Sequence, residues 1–169
     1  MTRFVVDACS IAAFQSQRVL DGGGAALEGM EHLLNTGVIV LDEGDLILQE
    51  WLDTCSYASH CALSLGDWIN DQLASGKIIT VQMEKEQSVR SKMKSLNVPR
   101  KDQKYVYIAH CSSASAITTE DVDLHDPAFK GDGRARERLL RNKGGPVCRY
   151  IKKNIGAVVC QIEEVPVYF

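Results

Sequence analysis

Five short apolar runs dominate the chain: Phe4-Val5-Val6, Val38-Ile39-Val40-Leu41, Ile78-Ile79-Thr80-Val81, Ala116-Ile117-Thr118-Thr119 and Ala157-Val158-Val159-Cys160. They are nearly continuous in apolar character rather than alternating, as strands buried on both faces require. The stretches between them carry apolar residues at helical spacing, which is the pattern of repeated βαβ units. The expected fold is a three-layer α/β/α protein around a central, mostly parallel sheet.

The helices follow from the same spacing. After the Gly22-Gly23-Gly24 turn, residues 25–36 read as a helix stopped by Gly37. Residues 45–58 read as a second, with Ile47, Leu48, Trp51, Leu52 and Cys55 on its stripe and Glu50 at the stripe's margin. A shorter helix is expected over 68–73 and a charged one over 84–96, closed by Asn97-Val98-Pro99. Another begins near Arg100 and turns Tyr105, Val106, Ile108 and Ala109 inward. Residues 127–133 are turn-rich, His125-Asp126 reads as a turn, and the basic stretch that follows is expected to be helical to Asn154.

A chain of 169 residues can bury a real core without disulfides or a structural metal. It reads as one domain, 1–169, with a basic insertion at about 126–154 before the last strand. The six cysteines are scattered through apolar segments without a C-x-x-C pair, so reduced thiols in a cytoplasmic setting are expected. Cys55, His60 and Cys61 alone cluster with ligand chemistry, and they lack a fourth partner at a sensible spacing. The start of the chain is too short in apolar residues for a signal peptide, and no later stretch is long enough to span a membrane, so a soluble, unsecreted protein is expected.

A net charge of −3 hides a segregation: residues 1–83 carry three Lys/Arg against eleven Asp/Glu, and residues 84–153 carry sixteen against nine. The basic half is densest from Lys130 to Lys153. Such a block suits a polyanion partner, and it suits equally a solvated helix face with pairs such as Glu137–Arg141.

Against this background the carboxylates stand out. Chemistry in open α/β sheets gathers at the C-terminal strand ends. Asp7 follows the first strand, Asp121 follows a later one with Asp123 two residues on, and Asp102 opens the helix leading to that strand. Glu50, on the edge of a buried face, is costly unless it points into a polar cleft. These groups could converge, and a hard divalent ion, Mg²⁺ or Mn²⁺, would let them remain ionised together. Metal-assisted phosphodiester hydrolysis is the natural chemistry. Asp7-Ala8-Cys9 is not the D-x-D of a dehalogenase-type phosphatase, and no Gly-Lys-Ser/Thr follows the glycine turn to make a P-loop.

Four segments resemble the motifs of PIN domains, in the family's order. They are Phe4-Val5-Val6-Asp7, Leu48-Gln49-Glu50-Trp51-Leu52, Asp102-Gln103-Lys104-Tyr105-Val106-Tyr107-Ile108-Ala109, and Ile117-Thr118-Thr119-Glu120-Asp121-Val122-Asp123-Leu124. The resemblance covers about residues 3–125 and the closing strand. It implies a metal-dependent nuclease, mostly RNA-directed, with Asp7, Glu50, Asp102 and Asp121 as catalytic metal ligands. Asp123 would be an additional carboxylate, and Thr119 would hydrogen-bond within the acidic cluster. The family often has Ser, Thr or Asn two residues after the first Asp; here Cys9 stands there, with Ser10 next as a supporting hydroxyl.

The leading expectation is an endoribonuclease that leaves 5′-phosphate and 3′-hydroxyl ends on single-stranded or structured RNA. Lys101 and Lys104 beside Asp102 are candidates for the reacting phosphate, and Arg134, Arg136, Arg138, Arg141, Lys143 and Arg149 for the backbone. A non-catalytic PIN-fold module binding RNA or protein, and a DNA-directed nuclease, are the alternatives. The resemblance also allows an antitoxin-like partner and a homodimer.

Overall fold

The computed structural model describes residues 1–19, 23–55 and 59–169, with residues 59–64 described by their backbone alone. Five strands, β1 (Thr2–Val6), β2 (Gly37–Asp42), β3 (Ile78–Val81), β4 (Ala116–Thr118) and β5 (Val158–Cys160), form one all-parallel sheet in the order β3-β2-β1-β4-β5. Each coincides with one of the apolar runs, and the fold is the expected three-layer α/β/α. From β1 the chain steps outward to β2 and β3, then crosses back to lay β4 on the other side of β1. Such crossovers are right-handed, so the reversal sends the connecting helices to opposite faces.

On one face α1 (Ala8–Val19), α2 (Ala25–Thr36), α3 (Leu46–Cys55) and α4 (Ser59–Ala74) pack together. On the other, α5 (Gln87–Ser95) lies against α6 (Gln103–Ser112), which crosses all four strands from β1 to β4. Between β4 and β5 come α7 (Gly133–Asn142) and α8 (Pro146–Asn154), and the short α9 (Val165–Tyr168) returns to α2. No helix among the described residues is long and apolar enough to cross a membrane.

Several expectations are corrected. Helix α1 is additional, and α4 is longer than the short helix expected around Trp68. Helix α2 does end at Gly37, as expected, and there the backbone is extended (φ −163°), because the same residue is the first of β2. A Cβ there would lie 2.2 Å from the Thr2 carbonyl oxygen and 2.7 Å from the Phe4 ring, so glycine permits the close approach of β2 to β1. Helix α3 starts at Leu46 because the buried Asp42 carboxylate accepts hydrogen bonds of 2.9 Å from the N–H groups of both Leu46 and Ile47. The expected extension of α3 over 56–58, the Gly22 part of the glycine turn, and the His60 and Cys61 side chains lie outside the described residues.

The basic segment is two helices rather than one. Lys143 turns left-handed (φ 52°), and Pro146 opens α8 at a position where its missing N–H is harmless. Leu140, Val147, Cys148 and Ile151 sink into the interior, so the segment is an integral part of the fold. It is clasped by His125, which stands in a turn, as expected, and is fully buried. The His125 carbonyl accepts from Val147 N–H (3.1 Å), and its Nδ1 lies 3.0 Å from the Cys148 thiol. A Cβ on Gly145 would be 2.0 Å from that carbonyl oxygen, which forbids any larger residue at the clasp.

Candidate metal centre

Strands β1 and β4 are neighbours on either side of the point where the strand order reverses, and the crevice beyond their C-terminal ends is where such sheets bind ligands. The sequence places Asp7 directly after β1 and Thr119, Asp121 and Asp123 directly after β4. Helix α3 is held over this edge by the buried Trp51, whose indole N–H donates to the Val6 carbonyl at 3.0 Å. Helix α6 begins at the same edge, led by the Pro99–Asp102 turn.

Asp102, Asp121 and Asp123 each present a carboxylate oxygen within 4.8 Å of the other two. Asp102 is only 4 % exposed, while Asp121 and Asp123 are half-buried. Although Asp102 occupies the N-cap position of α6, its side chain makes no capping hydrogen bond. Its Oδ2 is buried with no hydrogen-bond partner among the described residues, and Oδ1 lies 3.8 Å from the Lys101 ammonium. Burial, opposed by Lys101 and reinforced by Asp121, Asp7 and Asp123, pushes the Asp102 carboxyl up to about 7. Burial and then Asp121 also raise the Asp123 carboxyl. Asp121 is fixed by accepting the Asp123 N–H at 3.0 Å.

This donor set fits a hard divalent cation. All three donors are carboxylate oxygens, the chemistry Mg²⁺ and Mn²⁺ prefer. On an octahedral ion with ligands at about 2.1 Å, neighbouring oxygens stand about 3.0 Å apart and opposite ones about 4.2 Å, so the three carboxylates would have to draw together around it. A cation is also what an orphaned buried carboxylate oxygen lacks.

Asp7 stands one hydrogen-bonded step from this trio. Its buried carboxylate accepts from the Thr119 hydroxyl (2.6 Å) and the Cys9 thiol (3.1 Å). Burial and the adjacent Asp7 raise the thiol far above its ordinary range, which keeps it a donor. The Thr119 oxygen in turn accepts the Asp121 N–H at 2.9 Å, linking Asp7 to the trio through one side chain. Cys9 therefore supplies the hydrogen bond at the first motif. Ser10 does not, contrary to expectation, because its buried hydroxyl in α1 has no hydrogen-bond partner among the described residues.

Glu50 is not one of the trio but stands beside it, in the same field on Lys101. Its carboxylate accepts from the Tyr105 hydroxyl and pairs with the Lys104 ammonium at 2.5 Å. Tyr105, expected only as a core residue, also accepts the Ala8 N–H at 3.2 Å and so joins α6, α3 and the start of α1. Burial lifts its hydroxyl far above the ordinary range, so it remains a donor to Glu50. Lys101, 65 % exposed at its side chain, stands in the field of Asp102, Asp121, Glu50 and Asp123.

The C-terminal cations divide. Arg134, Arg138 and Arg149 are exposed, and Arg141 is exposed but paired with Glu137 at 2.9 Å. Arg136 donates to the Glu120 carbonyl, and Lys143 is half-buried against Glu164 and the Tyr168 ring, so both serve the packing of α7.

Fold and site together define an α/β protein with an acidic centre, able to hold a metal, at the switch point of a parallel sheet. No family model, no curated protein and no solved structure matches the chain.

Proposed function

We propose that the protein is a divalent-metal-dependent nuclease of the PIN type, acting on RNA and leaving 5′-phosphate and 3′-hydroxyl ends. The observation that carries this reading is the buried Asp102 carboxylate at the switch point, within 4.8 Å of Asp121 and Asp123, with an Oδ2 that has no hydrogen-bond partner among the described residues. Mg²⁺ or Mn²⁺ bound there supplies the charge that activates water and stabilises the leaving oxygen. Asp102, Asp121 and Asp123 would hold the ion, and Thr119 and Cys9 orient Asp7 beside them. Lys101, beside Asp102, would meet a phosphate at the centre, and the exposed Arg134, Arg138 and Arg149 would meet more distant backbone.

The test is competition between labelled RNA and DNA strands of one sequence, with Mg²⁺ or Mn²⁺ and with EDTA. Metal-dependent RNA shortening that disappears in Asp102→Asn is expected. Equal DNA cutting would widen the substrate, and intact strands throughout would reject the nuclease.

One observation favours a second reading, a non-catalytic nucleic-acid-binding module: Glu50 is engaged by Lys104 and Tyr105 rather than joined to the trio. That reading predicts strand binding without cleavage, unchanged in Asp102→Asn.

A further inference from the structure

Next to the acidic trio the surface changes sign. A cavity of about 340 Å³ opens between the loop after β3, α5 and the first turns of α6. Five of its lining residues are cationic: Lys85, Arg90, Arg100, Lys101 and Lys104. Lys101, which lines the cavity, stands 3.8 Å from Asp102, so the cavity borders the metal centre, and Lys104 beside it pairs with Glu50. Lys85, Arg90 and Arg100 are exposed and have no carboxylate partner among the described residues. Leu46, 49 % exposed, and the half-buried Met83 give one apolar edge.

Three unpaired cations converging on one concavity repel one another unless a polyanion sits among them. An apolar edge beside them suits a flat base, whose faces are apolar while its phosphate is charged. We infer that this groove is the seat of a single-stranded nucleic-acid segment flanking the metal centre, with Lys85, Arg90 and Arg100 on its phosphates and Leu46 and Met83 against a base. The inference rests on the nuclease reading only for the identity of the strand as substrate. It moves the main binding surface from the C-terminal helices to the α5–α6 side.

The experiment is fluorescence anisotropy of a labelled single-stranded oligonucleotide in EDTA, titrated with full-length protein across a salt series. The proteins are wild type, Arg90→Ala/Arg100→Ala, and Lys152→Ala/Lys153→Ala as a charge-matched control on exposed α8 positions. Arg90→Gln/Arg100→Gln repeats the groove test with side chains of similar length, should the alanine protein melt early. The groove variants are expected to raise Kd about tenfold and to flatten the salt dependence by about 1.4 in log–log slope, ~0.7 for each phosphate of a single strand that is no longer neutralised. The control should bind within about twofold of wild type.

Groove variants that bind like wild type, or a wild type that binds no strand, overturn the inference. So does a groove that captures a Glu-rich peptide but leaves the oligonucleotide free. Strand binding abolished in the groove variants, with no metal-dependent cleavage by wild type, keeps the groove and removes the nuclease.

Discussion

The Thr119 hydroxyl donates to the Asp7 carboxylate at 2.6 Å across 112 positions of sequence, and accepts the Asp121 N–H on its other side. One side chain thus fixes the acid after β1 relative to the acids after β4. Thr119→Val keeps the shape and removes both bonds, leaving a buried carboxylate with the Cys9 thiol as its remaining side-chain donor. The expected cost is about 2 kcal/mol, read from the urea midpoint, because bonds to charged groups carry more than neutral ones. Cys9→Ser, which retains a donor, should stay within about 1 kcal/mol of wild type. Equal loss in both variants would show that Thr119 is not the principal tie.

Asp102 gives the metal-free protein a pH dependence of defined sign. Its carboxyl, raised to about 7 chiefly by burial, keeps a proton that the unfolded chain has already released. Stability therefore falls as pH rises from the ordinary carboxylate range to about 7, and is level above that. Asp102→Asn removes the fall, so the variant should exceed wild type near pH 8 by about 2 kcal/mol, allowing for solvent in the cleft, and match it below about pH 4. Mn²⁺ should reverse the order by raising the wild-type Tm alone. A Tm gain of equal size in Asp102→Asn would remove this residue from the ion's ligands.

His125 sets the opposite trend. Burial, aided by Lys143 and opposed by Asp121, lowers its imidazole to about 4, and the unfolded chain takes up that proton at about 6.5. The stability linked to the neutral ring is fully present above about 6.5 and is lost as pH falls towards 4. His125→Asn should flatten acid unfolding across that window, by about 3 kcal/mol between its ends. An unchanged acid profile, followed by circular dichroism, would show that another group drives the transition.

The strands were legible because β1, β2, β4 and β5 lie largely in the core and read as nearly continuous apolar runs, while the edge strand β3 is only partly covered, with Thr80 exposed. The acids at their ends were legible because strand ends in a parallel sheet share one edge. Helix α1 was not, since Ser10 and Gln15 are buried polar residues that break its apolar stripe. Glu50 and Asp123 exchanged prominence for a reason no spacing reveals. Which acid meets which depends on how α3 and α6 rotate at the sheet edge, and Glu50 is engaged by Tyr105 and Lys104 beside the trio. The basic segment suggested a polyanion surface, but Arg136, Arg141 and Lys143, three of its nine cations, are engaged by Glu120, Glu137 and Glu164. The α5–α6 groove draws its cations from three separated segments, so no single run announces it.

Tyr105 offers the sharpest separation of architecture from chemistry. It is fully buried, with its hydroxyl between Glu50 on α3 and the Ala8 N–H at the start of α1. Tyr105→Phe leaves that N–H without its side-chain acceptor and Glu50 with Lys104 alone. Loss of stability by about 1–2 kcal/mol is expected, since the groups left behind are only partly reached by water. If Glu50 mainly braces α3 against α6, Glu50→Gln should cost a similar amount and reduce strand cleavage only a few fold, while Asp102→Asn abolishes it. Single-turnover cleavage at saturating Mn²⁺, measured beside denaturation midpoints for the three variants, decides the matter. Glu50→Gln as inactive as Asp102→Asn, yet as stable as wild type, would return Glu50 to the reacting centre and require α3 to rotate when metal and strand bind.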